Sequence, residues 1–189
     1  MFQIRIHGRG GQGVVTAAEL LSVAAFSEGK QAQAFPSFGS ERMGAPVVSF
    51  CRISDQEIRS REPVAQPNAI IVQDMTLLHV EDVFAGLAPD GYVLLNTARP
   101  LDTLGIGDLV ARLPEGHVRA VPATDLARQY IGRPIPNAAL LGAFAALTGV
   151  INLPAVIAAI DQRFSGTVAE RNGQAATAAF EEIQDKEAA

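Results

Sequence analysis

The sequence predicts an α/β fold of Rossmann-like type: a mostly parallel sheet with flanking helices and a helical C-terminal segment. Three observations predict it. Apolar runs of strand length alternate with stretches of helical periodicity. Two of the runs, 69–73 and 92–95, are continuously apolar, as in strands buried on both faces. The first run breaks into a glycine-rich loop that opens directly into a helical pattern. At 189 residues with 48% hydrophobic composition, the chain reads as a single domain, 1–189, large enough to bury a core without disulfides or metal staples.

Residues 2–7 alternate as a short strand that breaks at Gly8, and 14–27 place Val14, Ala17, Ala18, Leu21 and Ala25 at helical spacing. Gly29 ends this helix in the position that favours a left-handed residue. Two consecutive strands, 31–35 and 47–53, depart from simple alternation and are joined by the glycine- and proline-containing loop 36–46. The run 69–73, bounded by Pro67-Asn68 and Asp74, is a buried parallel strand, followed by a helix at 76–87 and a strand at 92–95. A further strand, 117–121, precedes a helix at 124–130. The stretches 137–148, 153–164 and 167–183 are alanine-rich with helical spacing, broken at Gly149 and Gly166, and read as a helical tail packed on the sheet with a frayed end at 185–189.

Composition excludes several function classes. Fifteen basic against twenty acidic residues give a net charge of -5 with no basic block, so nucleic acid is a poor partner. The N-terminus lacks the pattern of a signal peptide and no apolar run is long enough to span a bilayer, which predicts a cytoplasmic protein with no membrane partner. Cys51 is the only cysteine, and His7, His79 and His117 fall far apart, so the chain can supply neither an internal disulfide nor the thiolates of an iron–sulfur cluster, and a metal site is not expected. A charged fraction of only 19% leaves much neutral surface, as in a chain with protein partners.

Gly8, Gly10 and Gly13 satisfy G-x-G-x-x-G between a strand and a helix, where backbone amides and the helix N-terminus can cradle a pyrophosphate. The same glycines could merely permit a tight turn and close strand–helix packing. Arg9 could pair with a phosphate, or face solvent, and Gln12 could donate an amide hydrogen bond beside it. A nicotinamide site further needs an acid at the end of the second strand to hold the ribose. That strand ends in Phe35-Pro36-Ser37-Phe38, and Glu28, near the expected distance, sits at the end of the first helix. The loop therefore suits a phosphorylated ligand without specifying NAD.

The loop Phe35-Pro36-Ser37-Phe38-Gly39-Ser40-Glu41-Arg42-Met43-Gly44-Ala45-Pro46 crowds aromatic side chains, an ion-pairable Glu41–Arg42 and two prolines into one connection, a composition typical of binding loops. Together with His7 to Leu21, with 52–54, with 70–74, with 94–97 and with 137–143, it resembles the gamma subunit of the 2-oxoacid:acceptor oxidoreductases, typified by pyruvate:ferredoxin oxidoreductase. The resemblance covers nearly the whole chain. It implies a non-catalytic member of a complex that oxidatively decarboxylates a 2-oxo acid to its acyl-CoA and CO2, with thiamine diphosphate and 4Fe-4S clusters in partner subunits and electrons passing to ferredoxin or, through a further subunit, to NAD. Pyruvate or an aromatic 2-oxo acid such as phenylglyoxylate or indolepyruvate fits the same pattern. The resemblance further implies coenzyme A docking on this chain, with Gly8, Arg9, Gly10, Gly11, Gln12 and Gly13 at its pyrophosphate and Ser37, Phe38, Gly39 and Arg42 flanking the nucleotide or a neighbouring subunit.

Two other readings compete: an independent NAD-dependent Rossmann dehydrogenase, and a purely structural subunit whose glycine loop is vestigial. Among single residues, His7 could be a general acid–base or a strand-end residue bonded to backbone, and Cys51 a reactive thiol or a buried small hydrophobe. Asp74 and Asn96 could line a cleft at the strand ends or cap helices.

Overall fold

The structure, a computed structural model, describes residues 1–37 and 43–188, the last three as backbone alone. In chain order the elements are β1 (Phe2–Arg9), α1 (Val14–Ser27), β2 (Gln31–Pro36), β3 (Pro46–Ser54), β4 (Ala69–Val72), a 3-10 turn at Met75–His79, β5 (Tyr92–Asn96), a 3-10 turn at Leu101–Thr103, α2 (Gly107–Arg112), β6 (Val118–Val121), α3 (Ala123–Tyr130), α4 (Asn137–Thr148), α5 (Leu153–Arg163) and α6 (Gly166–Ala188). The sheet order is β2-β3-β1-β4-β5-β6. β1, β4, β5 and β6 are mutually parallel, whereas β3 runs antiparallel to both β1 and β2. The mostly parallel α/β class is as the sequence predicts. Its local departure has a definite form: α1 carries the chain past one strand position to β2, and β3 returns into the gap beside β1.

Strand alternation sorts the core into two faces. Ile4, Ile6, Cys51, Ile53, Ala69, Ile71 and Leu94 are buried with α1, α4 and the other C-terminal helices. On the opposite face Ile70, Val72, Val93, Leu95 and Val118 pack under Leu77, Val83, Ile106 and Leu109. α4, apolar on almost its whole circumference, lies against β5, β6 and α1, while α5 and α6 pack chiefly on α1 and α4. The tail is thus two helices deep rather than a single layer on the sheet.

Two expectations are corrected. The helix at 76–87 reduces to the 3-10 turn Met75–His79; beyond it the chain runs through turns, and the Arg5 guanidinium on β1 donates from Nη2 to the carbonyls of Val83 (2.9 Å) and Ala85 (2.7 Å), holding this stretch to β1. Gly86, at φ 72°, then turns the chain out of helical geometry. At the other end, backbone helix continues through Ala188 where fraying was expected. The short α2 carries too few turns to show a period in the sequence.

α4 and α6 meet most closely at Gly142, where a Cβ would run into the Ala176 carbonyl of α6. Since the obstacle is backbone, the helices must separate to admit it. Gly142→Ala is expected to lower stability by about 1–3 kcal/mol, the usual cost of overpacking, read as a lower urea midpoint. An unchanged midpoint would contradict this packing.

Candidate functional site

β1 ends at Arg9, and Gly10 forms a parallel bridge with Met43. The Gly10 N–H donates to the Ala45 carbonyl (2.8 Å) and the Gly44 N–H to the Gly10 carbonyl (3.0 Å), so the end of the second loop is bonded directly onto the first. Within the glycine loop the Gln12 side-chain oxygen accepts from Arg9 N–H (2.8 Å), and Gln12 N–H donates to the Arg9 carbonyl (3.0 Å). α1 begins after Gly13, which sits at φ 73° with no side-chain cap and no acidic residue in the following turn. Any side chain there would be strained and would also strike the Asn137 amide. α1 therefore starts with neither a side-chain cap nor a carboxylate in its first turn to satisfy its leading amides.

The carboxyl ends of the neighbouring strands close on this loop. Gln73 N–H donates to the His7 carbonyl (2.8 Å), and its side chain, 3% exposed, donates to Asn137 Oδ1 at the start of α4 (3.1 Å). Asn96 Nδ2 donates to the Gln73 carbonyl and to Thr124 Oγ1, both at 2.8 Å, while Asn96 Oδ1 accepts from Thr124 N–H (3.1 Å). Asp74 accepts from the Gln12 side chain (2.8 Å) and from Thr76 N–H (3.0 Å), and pairs with Arg9 Nε at 3.3 Å. Burial alone would raise the Asp74 pKa, but the hydrogen bonds from Thr76 and Gln12 and the Arg9 charge outweigh it and hold the carboxyl below its ordinary value. Asp74 thus caps the 3-10 turn after β4, and Asn96 accepts from the Thr124 N–H at the start of α3, so both take the capping role. Gln73, Thr76, Thr124 and Asn137 carry no motif of their own; only the rule that α/β sheets gather ligands at their carboxyl ends could have singled them out.

Gly8, Arg9, Gly10, Gly11, Gln12 and Gly13 are contiguous at this edge. Ser37 is exposed, its N–H donating to the Val48 carbonyl (2.8 Å) where the β2–β3 ladder ends. Phe38, Gly39 and Arg42 lie outside the described residues, as does Glu41. Glu28 ties helices together, accepting from Asn152 N–H (2.7 Å) and pairing with Lys30 (3.0 Å). Cys51 is fully buried in β3, where burial pushes its thiol pKa well up, as for a buried small hydrophobe. His7 is 5% exposed, and its ring takes neither sequence reading: Arg5 Nε donates to His7 Nε2 (3.0 Å), with Glu81 4.0 Å from Nδ1. Desolvation, with the Arg5 charge, lowers its pKa to about 4.

A cleft of about 440 Å³ on the helical layer, lined by Ile131, Ile135, Phe164 and Val168 with Arg133 and Arg171 among others, does not include the glycine loop. Among the described residues there is no cluster of three His, Cys, Asp or Glu side chains placed to hold a metal, and no helix long and apolar enough to cross a membrane.

The family described as pyruvate ferredoxin/flavodoxin oxidoreductase matches residues 3–182. The chain belongs to this oxidoreductase family. It is 45% identical over 184 residues to pyruvate synthase subunit PorC of Methanothermobacter marburgensis, covering 97% of this chain and 98% of that one. It is 46% identical over 184 residues to the pyruvate/ketoisovalerate oxidoreductases common subunit gamma of Pyrococcus abyssi, again covering 97% and 98%. The crystal structure of pyruvate oxidoreductase subunit PORC from Thermotoga maritima superposes with a TM-score of 0.80 at 37% identity, covering 95% of each chain. The gamma-subunit resemblance drawn from the two loops is thereby borne out, and the chain is a gamma subunit of the 2-oxoacid oxidoreductase family.

In this gamma subunit His7 makes a pH-dependent contribution to stability. Its pKa is about 4 folded against the ordinary 6.5, so the unfolded chain binds the proton more readily. The contribution is complete above pH 6.5 and erodes as pH falls towards 4. Between pH 7 and 4.5, wild type is expected to lose on the order of 2–3 kcal/mol more than His7→Gln. Urea unfolding at both pH values checks this, and equal losses would contradict it.

Proposed function

We propose that this gamma subunit serves a cytoplasmic complex in which partner subunits hold thiamine diphosphate and iron–sulfur clusters, and that its own part is to dock coenzyme A and to assist assembly. The complex would decarboxylate a 2-oxo acid, transfer the acyl group to the thiol of coenzyme A and pass the electrons to ferredoxin or to an NAD-reducing subunit. The names of the relatives favour pyruvate over phenylglyoxylate or indolepyruvate. The chain's own residues do not fit a cluster, since its one cysteine is buried in the core.

The observation that carries coenzyme A docking is the start of α1 behind Gly8–Gly13, with no side-chain cap and no acid in its first turn. Such a helix start presents N–H groups and positive dipole to an anion, and Gly11 and Gly13, both at positive φ, add no side chain of their own there. Gln12 holds the loop's shape, its side-chain oxygen accepting from Arg9 N–H and its amide donating to Asp74. The reading as an independent NAD dehydrogenase is disfavoured: β3, not β2, stands beside β1, so the end of β2 that should carry the ribose-binding acid is displaced by a strand.

Thr16→Asp tests the docking role in the intact complex. An acid in the first turn favours the helix by about 0.3–1 kcal/mol but opposes an anion at its end. The expected result is an assembled complex whose KM for coenzyme A rises about tenfold or more, with the KM for the 2-oxo acid little changed. An unchanged KM for coenzyme A would leave this chain a structural subunit.

A further inference from the structure

Arg9 stands in the glycine loop as a cation beside a candidate phosphate site, yet each nitrogen of its guanidinium already has a protein partner. Nη2 and Nε donate to Thr76 Oγ1 (2.7 and 3.2 Å), Nε faces Asp74 Oδ2 at 3.3 Å, and Nη1 donates to the Gly44 carbonyl (3.0 Å). Asp74 is equally engaged, accepting from Gln12 on the first loop and from Thr76 on the turn after β4. Gly44 returns its own N–H to Gly10. One arginine therefore bridges three segments: the glycine loop, the turn after β4, and the Met43–Ala45 end of the second loop. A planar fork with its donors directed to fixed oxygens sets geometry in a way that a single mobile charge does not.

We propose that Arg9, with Asp74, is a positioning residue that clamps the Met43–Ala45 end of the second loop onto the glycine loop, and that its influence on coenzyme A passes through this placement rather than through contact with phosphate. The proposal rests on the docking of coenzyme A at Gly8–Gly13. It joins the glycine loop and the Met43–Ala45 segment into one unit: the amides of the first present the anion site, and the clamp fixes Met43–Ala45 beside it.

The clamp and a direct phosphate contact predict opposite signs for one substitution. Asp74→Asn removes a negative charge close to an anion site and releases Arg9. If Arg9 is a phosphate ligand, this lowers the KM for coenzyme A; if Arg9 is a clamp, it raises it. The experiment compares Asp74→Asn, Arg9→Lys and Arg9→Ala in the assembled complex, reading amide hydrogen exchange at residues 43–45 without coenzyme A and the KM for coenzyme A and for the 2-oxo acid. All three variants are expected to speed exchange at Gly44 and to raise the KM for coenzyme A several-fold more than that for the 2-oxo acid, Arg9→Lys failing to rescue because it keeps the charge without the fork. A lower KM in Asp74→Asn, or a higher KM in Arg9→Ala with exchange unchanged, would overturn the clamp and make Arg9 a phosphate ligand. Unchanged exchange in all three, whatever the KM, would likewise overturn it. Faster exchange with no change in any KM would uphold the clamp and refute coenzyme A docking at this loop.

Discussion

The whole candidate site depends on β1 being paired along both edges, antiparallel to β3 and parallel to β4. The β3 register brings Pro46 opposite Arg9, which delivers the end of the second loop to Gly10. The β4 register brings Val72 opposite His7, which delivers Gln73 and Asp74 to the same edge. Without the first pairing the two loops would be distant in space; without the second the glycine loop would lack Asp74 and, through Gln73, the start of α4. A slip of one residue in either ladder would turn every side chain of the slipped strand to the opposite face of the sheet, out of the cluster that now buries it. The hydrophobic core thus holds the site in register.

This arrangement also separates the chain from a dinucleotide-binding Rossmann domain that shares its glycine spacing. In the latter, the strand after the first helix returns beside β1 and brings an acid to the ribose. Here β3 takes that place from the opposite direction and brings a loop instead. The replacement of a ribose-binding acid by a second loop suits a ligand gripped at its phosphates within a larger assembly, consistent with a gamma subunit whose own residues offer neither a cluster site nor a reactive thiol.

Legibility in the sequence followed the range of the interactions. Glycine chemistry and apolar periodicity are local, so the glycine loop, α1, the paired strands β4 and β5, and α4 could all be read directly. The apolar spacing of 76–87 is also local, but Arg5 reaches across 78 and 80 residues to the carbonyls of Val83 and Ala85, a tertiary bond that no window of sequence contains. The same holds for Gln73 and Asn137, which meet across 64 residues and carry no pattern of their own. For Arg9 the sequence showed a cation beside a phosphate loop but not that Asp74, Thr76 and Gly44 claim its donors.

The central claim is that this chain, and not only its partners, receives coenzyme A. It is tested most directly by determining the structure of the assembled complex with coenzyme A bound. The account predicts a pyrophosphate within hydrogen-bonding distance of backbone amides between Gly11 and Thr16, at the start of α1. Coenzyme A held wholly by the partner subunits, with these amides facing solvent, would contradict it.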